Sequence, residues 1–277
     1  MPLVTTDQLL EPAWRSGRGV GAFNVIHVEH AEAFVAAAER AGTGVVLQIS
    51  QNAVRWHGAL EPIGAATLSI ARSSRVPTVV HLDHAEDRSL VSEALELGFT
   101  SIMFDGSTLD YEDNVAATAE VVAEARSAGA VVEAELGEVG GKDGVHAPGV
   151  RTDPSEAVEF VRATGVDALA VAVGTSHAMT ERVASLDFGR IRELRRVVPV
   201  PLVLHGSSGV ADEDLTRAVE SGMTKVNVST HLNAALTGAL RAFLDSHPTV
   251  VDPRKYVGAG RDAVQTEVHR LLGVLRA

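Results

Sequence analysis

The sequence has no cysteine and only three lysines among its 277 residues. The absence of cysteine excludes disulfide bonds and zinc sites built on thiolates, a composition compatible with a reducing cytosol. Basic residues are outnumbered, with 24 Lys and Arg against 36 Asp and Glu, so we expect no general nucleic-acid binding. No apolar run approaches the roughly 20 residues of a membrane-spanning helix, and the N-terminus lacks a signal-peptide pattern. We therefore expect a cytoplasmic protein with no membrane or nucleic-acid partner.

Apolar residues make up 45% of the chain, and they recur in short β-branched runs followed by amphipathic stretches. The spacing of these units is about 30 residues, the size of one strand–helix–strand unit. Eight such units without a linker predict a TIM (β/α)8 barrel, with a doubly wound open sheet as the alternative. We expect one domain over residues 1–277, ending in a helical extension over 253–277. The predicted strands are 21–25, 45–50, 78–84, 101–105, 131–136, 168–174, 201–206 and 225–230.

Polar residues stand at the carboxyl ends of nearly all the predicted strands, where barrels of this kind carry out their chemistry. Three of them are imidazoles from separate strands, which can converge on one divalent ion and leave a position open for substrate. Each histidine alone could equally be a hydrogen-bonded core or loop residue, so the prediction depends on the set as a whole. The residues at these ends are Asn24, Ser50, Asp83, His84, Asp105, Glu135, His177, His205, Asn227, Ser229 and Thr230.

Other histidines have weaker patterns. His81 alternates with Asp83 on the third strand and should face the same side, which favours a positioning role. His27 and His30 lie three residues apart on a predicted helix, and we expect them on its surface.

The loops after the seventh and eighth strands are rich in small and hydroxyl residues. The first reads His205-Gly206-Ser207-Ser208-Gly209, and the second follows Asn227. Backbone N–H groups can approach an anion closely in such loops, and these two loops are the usual phosphate site of a TIM barrel. An ordinary glycine turn is the alternative for each loop alone.

An ordered set of short motifs covers almost the whole chain. The set resembles the class II, metal-dependent ketose-bisphosphate aldolases, in particular the fructose- and tagatose-bisphosphate aldolase branch. The resemblance implies a zinc enzyme that cleaves a phosphorylated ketose into dihydroxyacetone phosphate and an aldehyde. The motifs are AFNV, HLDHAED, FDGS, EAELG, VGTSH, LHGSSGV, KVNVST and DPRKY.

The same resemblance assigns roles to individual residues. It implies that His84, His177 and His205 bind the catalytic zinc, and that Asp83 is the acid/base at the C4 oxygen. Positions for an alternative or second metal correspond to Asp105 and Glu135. The pocket for the phosphate of dihydroxyacetone phosphate corresponds to Gly206, Ser207, Ser208, Asn227, Ser229 and Thr230. Asn24, Ser50 and Arg261 correspond to positions near the aldehyde half. This arginine often comes from a neighbouring subunit, which implies a homodimer or homotetramer.

Two departures from the family pattern concern catalysis. Ala178 replaces a glycine that helps to bind phosphate and a monovalent cation. The loop after Glu135 lacks the glutamate that usually moves the C3 proton; Asp143 is the first candidate to replace it, and Glu138 or His146 follow. These departures leave two alternatives: a relative that binds metal or sugar phosphate without turnover, or an aldolase for a different, for example deoxy, ketose phosphate.

The lysines argue against an imine mechanism, which needs a reactive lysine facing the barrel interior. Lys142 lies in a glycine-rich loop and Lys255 in the C-terminal tail. Lys225 is expected to begin the eighth strand, at the end of the barrel away from the chemistry. We therefore predict that no Schiff base forms with substrate.

Overall fold

In the computed structural model, eight parallel strands close into a barrel in chain order, with β1 paired to both β2 and β8. The structure describes residues 2–136, 151–176, 181–182 and 184–277. Within them, strands β1 to β8 are Val20–Asn24, Val45–Ser50, Thr78–Ala85, Ser101–Phe104, Val131–Leu136, Ala168–Val171, Leu202–Leu204 and Met223–Val228. Helices α1 to α11 are Thr6–Ser16, Val28–Ala41, Gln51–His57, Glu61–Ser73, Arg88–Leu97, Tyr111–Ser127, Pro154–Thr164, Phe188–Val197, Asp212–Ser221, Thr230–Ser246 and Pro253–Val274. The predicted TIM barrel is confirmed.

Local sequence signals explain several helix ends. Asp153 caps α7 by accepting the backbone N–H groups of Ser155 and Glu156, and Pro154 takes the first helical position. The helix ends at Gly165, whose φ of 72° lies in the left-handed region. The predicted extension over 253–277 is realised as the single long helix α11, which packs against α2 and α10.

Strands β2 and β5 have the predicted ranges, and β1, β3 and β4 differ from theirs by one residue, whereas the last three strands differ by more. β6 was expected over 168–174 but ends at Val171, because the next residue, Ala172, bonds to the Thr152 hydroxyl instead of to a strand. β7 is shorter than 201–206, since Gly206 turns into the left-handed region with φ of 64°. β8 covers Met223–Val228 instead of 225–230, because the strand follows directly on the α9 cap.

Two apolar layers hold the barrel together. The larger one lies between the sheet and the surrounding helices and includes Phe23, Phe34 and Phe160. A smaller one fills the lower part of the barrel interior, where Leu10 of α1 packs against inward-facing residues such as Val46 and Met103. Since α1 closes the amino ends of the strands, we call the end of the barrel at their carboxyl ends its mouth.

Among the described residues, no helix combines the length and apolar character needed to cross a membrane.

Candidate metal centre at the barrel mouth

Two consecutive residues at the end of β3 both reach the barrel mouth. Side chains normally alternate between the two faces of a strand, so Asp83 and His84 should point in opposite directions. The pairing of β3 with β4 shifts register between Leu82 and Ala85, and His84 adopts a φ of 50°. A bulge of this kind redirects a side chain. Both residues are therefore buried at the mouth, with 3% and 8% exposure.

The Asp83 carboxylate is oriented by two amides. Its Oδ2 accepts a hydrogen bond from Asn24 Nδ2 at 2.9 Å and a longer one from Gln48 Nε2 at 3.5 Å. Gln48 also donates to Asn24 Oδ1 at 2.8 Å, which fixes the orientation of the asparagine amide. The other oxygen of Asp83, Oδ1, is buried and has no hydrogen-bond partner among the described residues. One carboxylate oxygen is thus held in place, while the other has no donor among the described residues.

The charge of Asp83 is set by its surroundings. Burial alone would raise the pKa of Asp83, but His84, His205 and Lys225 lower it, so that the pKa lies well below its usual range. Asp83 is therefore an anion at neutral pH.

Carboxylates behind two imidazoles determine which ring nitrogen of each carries hydrogen. His84 Nδ1 lies 2.7 Å from Asp105 Oδ2, and His205 Nε2 lies 2.9 Å from Glu133 Oε1. An ionised carboxylate only accepts hydrogen bonds, so these two nitrogens are the protonated ones. Burial lowers the pKa of His205, which favours the neutral ring. The remaining nitrogens, His84 Nε2 and His205 Nδ1, then carry lone pairs.

These two nitrogens lie only 2.8 Å apart, with Glu135 Oε2 at 3.7 Å from His205 Nδ1. One ligand atom from each of His84, Glu135 and His205 lies within 4.8 Å of the others. Facing lone pairs beside a carboxylate repel one another unless a cation lies between them. Two imidazole nitrogens and a carboxylate oxygen form a donor set typical of catalytic zinc, so the residues present fit a divalent ion.

A buried polar layer lies directly beneath this cluster. The Lys225 ammonium lies 2.8 Å from Glu133 Oε2 and 3.5 Å from His81 Nε2, and His81 Nδ1 contacts the Ser101 hydroxyl at 2.7 Å. The expectation that Lys225 begins β8 at the remote end of the barrel is wrong: it is the third residue of β8, fully buried inside the barrel. Burial and the charge of Lys225 lower the pKa of His81 to about 3, so His81 is neutral.

The candidate phosphate loops are joined by side-chain hydrogen bonds. Ser208 Oγ accepts the backbone N–H groups of Ser229 at 3.4 Å and His231 at 3.2 Å, and the Ser207 hydroxyl donates to the Asn227 carbonyl. Gly206 has a φ of 64°, and a Cβ there would lie 2.7 Å from the backbone of Ser176. The loop thus requires glycine for both its conformation and its close packing.

The remaining predicted site residues are not part of the cluster formed by His84, Glu135 and His205. The Ser50 hydroxyl caps α3 by accepting the Ala53 N–H at 3.2 Å. Arg261 lies on α11 and forms an ion pair with Glu32 of α2 at 3.2 Å. Thr230 begins α10, and Ser229 is its N-terminal cap residue. His177, Ala178, Asp143, Glu138 and His146 lie outside the described residues.

Sequence reasoning missed three residues of the site: Gln48, Glu133 and Lys225. Each lies two positions before a recognised strand-end residue and therefore shares its face of the strand, as Glu133 does with Glu135. A charged or amide residue in an otherwise apolar buried strand was the signal available. His30 was also misjudged, since it is 2% exposed and not on the helix surface.

Comparison with known proteins gives consistent results over the whole chain. The family model described as fructose-bisphosphate aldolase class-II matches residues 4–277. A fructose-bisphosphate aldolase of Geobacillus stearothermophilus is 39% identical over 272 residues, covering 97% of this chain and 95% of the relative. The crystal structure of the YdjI aldolase from Escherichia coli K12 superposes with a TM-score of 0.85 at 30% identity, covering 99% of this chain and 97% of that one.

Proposed function

This chain belongs to the class-II fructose-bisphosphate aldolase family, and we propose that it catalyses the zinc-dependent cleavage and condensation of a ketose bisphosphate. The substrate class is fructose or tagatose 1,6-bisphosphate, and the products are dihydroxyacetone phosphate and an aldehyde. The main support for this proposal is the cluster of His84, Glu135 and His205 beside the Asp83 carboxylate at the barrel mouth.

The metal centre is assigned to His84 and His205, with Glu135 beside them and His177 as the third imidazole. A divalent ion there supplies a Lewis acid for the negative charge that develops on the ketone oxygen as the C3–C4 bond breaks. Asp105 holds the His84 ring through a contact of 2.7 Å between Oδ2 and Nδ1. We also propose a second divalent or monovalent cation nearby. The carboxylates that contact the rings of His84 and His205 support this assignment, because ligating histidines usually have such a partner.

Asp83 is assigned the proton transfer at C4. Its Oδ1, buried and without a donor among the described residues, takes the proton of the C4 hydroxyl. The C4–O bond becomes the aldehyde carbonyl, the C3–C4 bond breaks, and its electron pair passes into the three-carbon fragment. In the condensation direction the same carboxyl returns the proton to the C4 oxygen.

A proton must also be added at C3 to release dihydroxyacetone phosphate. We assign this step to Asp143, with Glu138 and His146 as alternatives, on the basis of their place in the loop after Glu135. Exchange of the C3 proton with deuterated water is the direct test. Asp143→Ala should slow exchange without weakening phosphate binding, whereas unchanged exchange in all three alanine variants excludes this assignment.

The phosphate of the three-carbon half is assigned to the two joined loops and to the start of α10. Gly206, Ser207, Ser208, Asn227, Ser229 and Thr230 supply backbone and hydroxyl groups there. Asn24, Ser50 and Arg261 are assigned to the aldehyde half. Arg261 pairs with Glu32 between the outer helices α11 and α2, where both side chains are partly exposed and accessible to a neighbouring subunit, so we propose a homodimer or homotetramer.

A cleavage assay with a panel of ketose mono- and bisphosphates tests this function. Dihydroxyacetone phosphate is measured with a coupled reductase, and the purified protein is assayed with and without added zinc. We expect zinc-dependent cleavage of fructose or tagatose 1,6-bisphosphate. Cleavage confined to another, for example deoxy, ketose phosphate would support the alternative aldolase suggested by Ala178 and the altered loop. Binding without cleavage of any sugar would contradict the proposed activity.

A further inference from the structure

A buried ion pair lies inside the barrel beneath the proposed metal centre. Glu133 is 2% exposed and Lys225 is fully buried, and their side chains approach to 2.8 Å. Moving two charges out of water is costly, and an apolar pair of the same volume is often as stable or more so. Packing alone therefore does not explain this ion pair, and its contacts with the proposed metal centre indicate a further role.

The two oxygens of Glu133 have different partners. Oε2 accepts from Lys225 Nζ at 2.8 Å, while Oε1 lies 2.9 Å from His205 Nε2. A lysine ammonium can only donate, and its charge compensates the buried carboxylate. The hydrogen between Glu133 and His205 therefore belongs to the imidazole nitrogen.

The neighbouring amide agrees with this arrangement. Asn227 Nδ2 lies 3.2 Å from the same His205 Nε2, and Asn227 Oδ1 is buried with no partner within the part of the chain that the structure describes. Exchanging the two amide atoms, which are assigned only through such networks, lets the oxygen accept from Nε2. His205 Nε2 then faces hydrogen-bond acceptors on both sides.

We propose that Glu133, held by Lys225, is a positioning residue that fixes His205 with Nε2 protonated and Nδ1 presented to the divalent ion. This inference rests on the proposed function, because it concerns the ion that the function requires. The fixed ring directs its Nδ1 toward His84 Nε2, 2.8 Å away, without any rotation when the ion binds. If the pair only filled the barrel, its removal would leave metal affinity unchanged.

Two double variants separate these roles. Glu133→Leu/Lys225→Met removes both charges at similar volume and leaves His205 Nε2 without its carboxylate. Glu133→Gln/Lys225→Met also removes the charges but keeps an amide oxygen that can accept from Nε2. Ser101→Ala is the matched control, because it changes the far end of the same polar layer, at His81, without touching His205.

Zinc affinity by chelator competition and the visible spectrum of the cobalt-substituted protein are the readouts, with circular dichroism to verify folding. We expect about 10- to 100-fold weaker zinc binding and an altered cobalt spectrum in the Leu/Met variant. The Gln/Met variant should recover most of the loss, and Ser101→Ala should match the wild type.

Wild-type zinc affinity and an unchanged cobalt spectrum in the Leu/Met variant refute the positioning role while the proposed function stands. A wild-type protein that binds no divalent ion refutes the proposed function itself. A measurement on the wild type needs no variant: two-bond ¹⁵N–¹H couplings in zinc-loaded, ¹⁵N-histidine-labelled protein report the ring tautomer. A His205 ring protonated at Nδ1 contradicts the proposal even if the variants do not fold.

Discussion

Replacing Asp83 by asparagine should nearly abolish cleavage, because the hydrogen bonds around this side chain place the new NH₂ group at the position of the reactive oxygen Oδ1. Asn24 Nδ2 donates to Oδ2 at 2.9 Å, and Gln48 Nε2 approaches the same oxygen at 3.5 Å. An amide nitrogen at that position would face two donors. The oxygen of the new side chain must therefore take the Oδ2 position, and its NH₂ group takes the Oδ1 position. A hydrogen-bond donor then stands where a proton acceptor is required.

The expected loss follows from the role of this oxygen. General base catalysis contributes about 10²- to 10⁴-fold to a rate. Each factor of ten corresponds to about 1.36 kcal/mol, so the barrier should rise by about 2.7 to 5.4 kcal/mol. Because the amide keeps the volume and the bond to Asn24, the loss should fall on kcat while KM and zinc content stay near wild type. Steady-state kinetics and elemental analysis measure these quantities.

Asp87→Asn is the matched control. Asp87 lies four residues further along the chain, is exposed, and caps α5 through the Ser89 N–H, a role that asparagine fills equally well. It should leave kcat unchanged. An Asp83→Asn enzyme with wild-type kcat and full metal content would refute the proton-transfer role, and a parallel fall in zinc content and rate would instead indicate that Asp83 positions the metal ligands.

Three further results are expected. Borohydride reduction with substrate should leave the protein mass unchanged, because Lys225 is buried as an ion pair with Glu133; a trapped adduct would overturn the metal mechanism. Burial lowers the pKa of His30 to about 4, so the ring stays neutral in the folded protein above that pH. In the unfolded chain the same ring binds a proton below about pH 6.5. The free energy of unfolding therefore falls as the pH drops from 6.5 toward 4. His30→Gln should therefore remove about 2 kcal/mol of the decrease in unfolding free energy between pH 7 and pH 4.5, measured by urea denaturation; an unchanged decrease would assign it to other groups. Ser50→Ala should lower the unfolding free energy by about 1 kcal/mol through loss of the α3 cap, with Ser50→Asp retaining it, and equal stability of all three proteins would exclude a capping role.

The fold could be predicted because buried parallel strands are nearly continuous apolar runs. The strand limits could not, because burial and strand pairing end at different residues. Ala172 and Val173 are as buried as the strand before them, yet Ala172 bonds to Thr152 and not to a neighbouring strand. An apolar run in the sequence includes buried residues that pair with a neighbouring strand and buried residues that do not.

Residues of the candidate centre could be predicted from the sequence only where a position at the end of a strand was enough to identify them. His84, His205 and Glu135 were predicted because each stands at or next to a strand end, and in the structure one possible ligand atom of each lies within 4.8 Å of the others. The contacts of Glu133 with His205 and Lys225 join β5 to β8 and to the residue that follows β7, all far apart in sequence. Which ring nitrogen faces which carboxylate depends on the curvature of the closed barrel, and no spacing along the chain encodes it.

We propose that this chain cleaves a ketose bisphosphate only with a divalent ion bound by the histidines at the barrel mouth. The direct measurement compares cleavage by the purified protein, by the same sample after removal of metal with a chelator, and by that sample after addition of zinc. We expect about one tightly bound ion per chain in the active protein, loss of activity when the ion is removed, and recovery when zinc is added. Full activity in a sample shown by elemental analysis to be metal-free would contradict it.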